Sequence, residues 1–182
     1  MNKCITTEQI ENIILDAGVV YINYGEQDER ILAPTRGGNT FTVEAEIREI
    51  EVNNTRGKTK GLRRKIREDA NLTVSMMDLD LENLNMALPG STLEGDKLSS
   101  GWAIDETDYL KNVTLIGETL GGKYKKISIY NAMIDEDFAI EFEEDDEGIM
   151  ELNFAAHHEP CPGNTDVLWD IEDLTELIET EI

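Results

Sequence analysis

Five consecutive residues, His157-His158-Glu159-Pro160-Cys161, bring together four side chains able to ligate a metal. A zinc site needs ligands that converge tetrahedrally, whereas neighbours on an extended backbone point to opposite sides. The run therefore reads as a strand end and a turn. His157 and His158 are also the chain's 2 histidines. Both sit beside a proline turn, so a Ser-His-Asp triad has no well-placed base. Asp135-Glu136-Asp137 and the acids of 143–147 could attract calcium. They lack the spaced acids, the glycine and the final glutamate of an EF-hand loop, and read as solvated acidic turns. Acids are so abundant that a carboxylate pair for glycoside hydrolysis carries no information. Arg36-Gly37-Gly38-Asn39 could cradle a phosphate only if a helix began there, and a strand pattern follows instead. No catalytic residue, metal ligand or cofactor site is expected, and the chain does not read as an enzyme.

What must be positioned is charge. The 182 residues carry 16 Lys and Arg against 39 Asp and Glu, a net of −23, with 40% apolar residues. One domain with an appendage and a full core fits that length and composition. Such acidity argues against a free, sequence-reading nucleic-acid binder. The charge is unevenly placed. Residues 127–182 hold 18 acids and no base, leaving 21 acids and all 16 bases, a net of −5, in the first 126. Eight bases fall between positions 48 and 67: Arg48, Arg56, Lys58, Lys60, Arg63, Arg64, Lys65 and Arg67. A basic patch and an acidic patch on one molecule attract copies of that molecule. The basic stretch has no interleaved aromatics, so it is not a stacking platform for nucleic acid. No apolar run reaches membrane-spanning length. The N-terminus lacks an apolar signal region, so no secretory leader is expected. Cys4 and Cys161 read as reduced thiols.

The elements that carry these charges follow from periodicity. Thr6 and Gln9 have capping-box spacing, and Ile10, Ile13 and Ile14 have helical spacing, so a short helix or arm is expected before Asp16-Ala17-Gly18. The β-branched and aromatic run 19–24 predicts a strand. Pro34 limits Ile31-Leu32-Ala33 to an edge or loop. From Phe41 the chain alternates, with Phe41, Val43, Ala45 and Ile47 on one face. The phase then slips to Ile50 and Val52, which predicts a β-bulge near Arg48-Glu49. After a loop over 53–61, a return strand runs from Leu62 with Ile66, Ala70, Leu72, Val74 and Met76 on its even face. Near the tip both of its faces are charged, so that part cannot be buried in its own subunit. Asp78 or Asp80 caps a helix bearing Leu81, Leu84 and Leu88, stopped by Pro89-Gly90. The polar stretch 91–109 has Trp102 as its one large anchor. Four strands are expected near 113–117, 124–134, 138–142 and 149–155, with a hairpin tip at 144–148. The chain end alternates through Val167, Trp169 and Ile171, and then shows an acidic helix pattern in Leu174, Leu177 and Ile178. That helix has no base near its C-terminus and needs docking.

Three segments carry a resemblance to a known family. They are Asp16-Ala17-Gly18-Val19-Val20-Tyr21, the turn Thr35-Arg36-Gly37-Gly38-Asn39-Thr40-Phe41, and the run from Glu46-Ile47-Arg48-Glu49-Ile50-Glu51-Val52 to Lys60-Gly61-Leu62-Arg63-Arg64. Together with 79–90, LDLENLNMALPG, they resemble the major tail tube protein of long, non-contractile-tailed bacteriophages over residues 12–90. The resemblance implies a mainly β fold, a β-sandwich or barrel-like body with one packed helix and a long extended hairpin loop, to which the sequence pattern adds a short C-terminal helix. Residues 1–165 would be the tube domain with an N-terminal arm, and 166–182 an acidic extension. Six copies would form a ring, and rings would stack around a channel for DNA. The loop over 53–61 and its stems would reach the adjacent ring, placing inter-ring contacts on Arg56, Lys58, Lys60, Arg63, Arg64 and Arg67. Implied partners are identical copies, a tape-measure protein, a tail terminator, distal tail proteins and the passing genomic DNA, with no membrane. The location would be the virion tail, assembled in the host bacterial cytoplasm. Other readings are a tube subunit of a contractile tailocin or secretion system, and an acidic β-sandwich binding module.

Overall fold

A computed structural model describes residues 5–32, 34–54, 56–140, 149–160 and 167–175. Among them the chain forms α1 (Thr7–Glu11), β1 (Val19–Ile22), β2 (Arg30–Ile31), β3 (Thr40–Glu49), β4 (Arg63–Met76) and α2 (Leu81–Ala87). It continues through β5 (Thr92–Glu94), β6 (Lys97–Ser99), a 3-10 turn (Glu106–Asp108), β7 (Leu110–Glu118), β8 (Tyr124–Ile134), β9 (Met150–Ala155) and β10 (Trp169–Leu174). The mainly β architecture expected from the sequence is the one observed.

All the strand pairings are antiparallel. The main sheet runs β2-β1-β7-β8-β9-β4-β3, with β10 also on β8 and β5-β6 as a separate hairpin. β8 joins the two halves. Its residues from Tyr124 to Ile129 lie between β7 and β10, and Met133 and Ile134 pair with β9. Between them Asn131 takes a positive φ of 47°, which turns the strand from one half to the other. Both halves then share one core. Val20, Ile22, Val113 and Ile129 come from one side, and Leu72, Val74, Met76, Leu152 and Phe154 from the other. Phe41 of β3 meets Trp169 of β10 edge to face at 5.7 Å, bringing the two halves together at that point.

The alternation in β4 and β9 is that of a half-buried sheet. Ala70, Leu72, Val74 and Met76 point inward, while Asn71, Thr73 and Ser75 point outward. β7 is different, because both of its faces are covered. Asn112, Thr114 and Ser128 of neighbouring β8 are buried. Thr114 Oγ1 lies 2.9 Å from Ser128 Oγ and donates to Asn112 Oδ1 at 3.1 Å. Asn112 in turn accepts from Tyr24 N–H at 2.8 Å and donates to Tyr24 O at 3.1 Å. The turn after β1 thereby seals a polar layer that would be costly if left unpaired.

Several expectations are corrected. The helix pattern at the N-terminus stops at Glu11, capped by the expected Thr6–Gln9 box. Ile13 and Ile14 are exposed. The expected bulge is present, the ladder of β3 and β4 slipping between Glu46 and Ile47, just before Arg48-Glu49. The unpaired residue is Ile66, on the return strand, because either strand of a pair can host the bulge. α2 buries Asn83 and Ala87 deepest, rotated from the Leu81, Leu84, Leu88 stripe. Arg30 Nη1 donates to Asn83 Oδ1 at 2.8 Å and fixes that rotation. Asp80 is the N-cap by position, but its side chain makes no cap bond. Trp102 anchors nothing in its own subunit and is fully exposed. Phe138 packs partly on the core, but residues 138–140 form no strand. The expected tip at 144–148 lies outside the described residues. Leu174 closes β10 rather than opening a helix, and the helix expected beyond it lies outside the described residues.

β10 docks by charge and by one phenol. Lys126 Nζ reaches Glu172 at 2.9 Å, and Lys125 pairs with Asp173. Tyr130 Oη donates to Asp170 Oδ2 at 2.5 Å. Burial raises the Tyr130 pKa, reinforced by the hydrogen bond to Asp170 and the nearby carboxylates. A phenol that binds its proton more tightly in the folded state stabilises the fold below its unfolded pKa of about 10 and loses that contribution as pH rises beyond it. Stability should therefore fall above about pH 10, and Tyr130→Phe should flatten that fall in urea titrations at pH 8 to 11. Phe154→Ala should cost about 3–5 kcal/mol by urea unfolding, whereas Ile66→Ala should stay within about 0.5 kcal/mol, because Ile66 lies outside the monomer's core.

Candidate self-association arm

β4 is long because it does two tasks. Only Asn71–Met76 is backed by β9, whereas β3 pairs with β4 as far as Arg63. From Ala70 to Arg63 the two strands run on as a ribbon with no third strand among the described residues, for about 24 Å at the usual rise per residue. Ile50 N–H continues the ladder to Leu62 O at 2.8 Å. Leu62 N–H then closes the tip turn on Thr59 O at 3.2 Å. Gly61 sits at φ 90°, a conformation that a side chain would strain, so the return strand starts where glycine permits. A free two-stranded ribbon is marginally stable in water.

The surface of this arm suits neither a core nor plain solvent. Ile47, Ile50, Val52 and Ile66 are each about half exposed. Arg56, Lys58, Lys60, Arg63, Arg64 and Arg67 are all exposed. Arg67 Nε reaches Asp69 at 2.8 Å, and the adjacent Lys65 reaches Glu68 at 2.7 Å. Arg56, Lys58, Lys60, Arg63 and Arg64 form no ion pair with another described residue. Arg48 stands directly opposite Arg64 in the ladder, a like-charge pair that works against the ribbon. The arm thus offers exposed apolar side chains and unneutralised cations together, on a frame that its own subunit does not support.

The other sequence candidates resolve differently. His157 follows β9, with Nδ1 3.1 Å from Asn131 O and its ring edge to face with Tyr109 at 5.2 Å. Its contacts belong to the bend of β8, and no set of three metal-ligating side chains comes together among the described residues. Cys161 lies outside the described residues. The Arg36–Asn39 turn is tied to β4 by Arg36 N–H to Ser75 O at 3.0 Å and leads into β3, not into a helix. The outward face of β3, β4 and β9 carries Thr42, Glu44, Glu46, Asp69, Asn71, Thr73, Asn153 and Glu151, with one base, Arg67, at its arm end and paired to Asp69. The alternation identified those positions, but not that three strands would join them into one acidic and polar wall. Nor does the sequence disclose that Lys125 and Lys126, the last bases of the chain, meet the acids of β10.

The Arg48–Arg64 contact makes a direct test. Arg64→Glu replaces a repulsive cross-strand pair with an attractive one. Amides of 47–49 should exchange with solvent about two- to fivefold more slowly in the monomer, as measured by hydrogen exchange.

No family model matches this sequence, and no curated protein matches it. Among solved structures, the chain is similar to a chain in the virion of a native gene transfer agent particle. There the TM-score is 0.47 at 11% identity, over 79% of this chain and 92% of that one. It is also similar to a chain in the tail of an empty gene transfer agent particle of C6 symmetry. That match has a TM-score of 0.43 at 12% identity, again over 79% of this chain and 92% of that one.

Proposed function

We propose that this chain is a self-assembling structural subunit, the building block of a bacteriophage tail tube. Its copies form six-membered rings that stack around a channel for DNA. The observation that carries the reading is the arm: a ribbon extended past its own sheet, bearing exposed isoleucines and free cations. Such a surface is completed by another molecule, and the strongly acidic body of a second copy is the natural complement. The sequence resemblance over residues 12–90 supplies the ring, the stacking and the tube.

The acidic wall of β3, β4 and β9 supports the second half of the reading. A basic wall would exchange counterions for phosphates and hold the duplex, whereas an acidic wall repels it. Glu44 and Glu151 would face the channel and keep DNA moving without sequence-specific binding. The tape-measure, terminator and distal tail proteins would be the other partners, in a virion tail assembled in the host bacterial cytoplasm. The subunit performs no reaction and needs no cofactor. A tube subunit of a contractile tailocin or secretion system shares the same logic. An acidic β-sandwich binding module would not, since it forms no rings at any concentration.

Negative-stain electron microscopy of the concentrated protein should show rings or hollow tubes, with stacking lost as salt screens the arm. Dispersed particles at every concentration and salt would refute the tube. In assembled tubes, Glu44→Lys with Glu151→Lys should leave the rings intact but retain short duplex DNA in a pull-down that the unaltered tubes fail. Equal, negligible retention by both would remove the acidic wall from the mechanism.

A further inference from the structure

We propose that the patch formed by Trp102, Ile104, Tyr109 and Glu106 is the seat for the basic arm of a second copy of this chain. The inference rests on the proposal above that the arm joins copies, and it names where the arm lands.

Trp102 is 104% exposed, on a loop that is built rather than loose. A Cβ on Gly101 would come within 2.0 Å of Gly90 O, and one on Gly90 within 2.6 Å of Ala103 O. The backbones on either side of Trp102 are therefore pressed against Gly90, where no larger residue fits. Gly90 N–H also donates to Asp108 Oδ1 at 3.1 Å, and Asp105 N–H to Asp108 Oδ2 at 2.8 Å. A pinned loop holds a large indole in water, an arrangement with no value to the monomer. Rigid, fully presented tryptophans are typical binding hot spots. Ile104 beside it is 56% exposed.

A cleft of about 580 Å³ continues the patch, lined by Glu106, Tyr109, His157 and Pro160 among others. Chain reach keeps Trp102 within about 14 Å of Glu106. Glu106 forms no ion pair with another described residue, and Asp105 and Asp108 add to the negative field. Lys111 also lines the cleft, but its ammonium is held by Glu26 at 2.8 Å and Asp28 at 3.6 Å. The cleft therefore presents anionic and aromatic groups, and its occupant should be cationic and partly apolar. The arm has that character. Arg56, Arg63 and Arg64 can stack on the Trp102 face and pair with Glu106, while Ile47, Ile50 and Ile66 cover Trp102 and Ile104.

The occupant must come from another copy. Ala156 N–H donates to Ala70 O at 2.9 Å, so His157 and the cleft lie at the root of the arm. The tip lies a ribbon's length from that root along the β3–β4 ladder, so the cleft of its own subunit is out of its reach. A tip-to-root contact joins two different surfaces. Repeated, it closes a ring or extends a filament.

The test uses the full chain at concentrations where copies associate, mixed from ¹⁴N- and ¹⁵N-labelled protein. With Trp102→benzoylphenylalanine, irradiation should yield mixed-isotope crosslinks to peptides from 48–67. Absence of those crosslinks, while Lys58→benzoylphenylalanine crosslinks a second copy elsewhere, overturns the seat and leaves the arm's role standing. If the probe at position 58 reaches no second copy, the arm reading itself fails as well. Charge reversal supplies an independent readout. Glu106→Arg alone, and Arg63→Glu with Arg64→Glu alone, should each weaken association at least tenfold, and mixing the two proteins should restore it. Unchanged association of the Glu106→Arg protein overturns the seat.

Discussion

The structure depends on β4 serving two environments along one hydrogen-bonded line. Its C-terminal half is a core strand, with Leu72, Val74 and Met76 wholly buried between β3 and β9. Its N-terminal half leaves that company at Ala70 and continues with β3 alone. The ladder is unbroken except at Ile66, so the arm takes its direction from the core. A flexible linker would allow the tip to sample many positions, and ordering it on a partner would cost conformational entropy at each contact. A strand extended from the core carries part of that cost in the monomer. The core fixes the root, and the ribbon transmits the root's orientation to the tip.

Charge divides along the same line. Bases gather on the arm, and acids line the outward face of β3, β4 and β9. Five of the described bases meet acids directly. Lys125 and Lys126 hold β10, Lys111 holds the turn at Glu26, and Lys65 and Arg67 are paired at the arm's root. Arg56, Lys58, Lys60, Arg63 and Arg64, which pair with no other described residue, are gathered toward the tip. That gathering of cations makes the arm the part of the molecule best suited to attract an acidic surface. Salt should therefore act on association more than on folding, because exposed pairs contribute little to stability and distant attraction is what screening removes.

How far the sequence could be read depended on whether one face or two were buried. The alternation of β4 and β9 was legible because each has a wet side and a dry side, whereas β8 was legible from its apolar run. β7 was located, but its buried Thr114 and Asn112 look solvent-facing in sequence. They are covered only because the turn at Asn23 and Tyr24 folds over them, a contact between residues 88 positions apart. The capping box at Thr6 was legible because it is local. The rotation of α2 was not, since it follows from Arg30, far away in the chain, reaching Asn83. The arm was legible as a charged hairpin with a phase slip, but which strand held the extra residue was not, as both choices satisfy the same pattern. Trp102 misled for a general reason. A lone tryptophan in a polar stretch reads as an anchor, and sequence does not say in which molecule the anchor is set.

The weaknesses of the arm fit the assembly role proposed for it. Arg48 facing Arg64, the bulge at Ile66 and the missing third strand each loosen the ribbon in the free subunit. If the ribbon were ideal, every encounter between monomers would present a finished edge and a finished patch, and association would begin anywhere. A ribbon that is only marginally ordered binds more weakly as a single contact, because part of the contact energy is spent in ordering it. Once neighbouring copies are held in place, the local concentration of seats rises and the same weak contacts act together. The like-charge pair also becomes less unfavourable when anionic groups of a neighbour lie beside it. Under the proposed function, instability in the monomer would thus favour growth on existing structure over spontaneous aggregation.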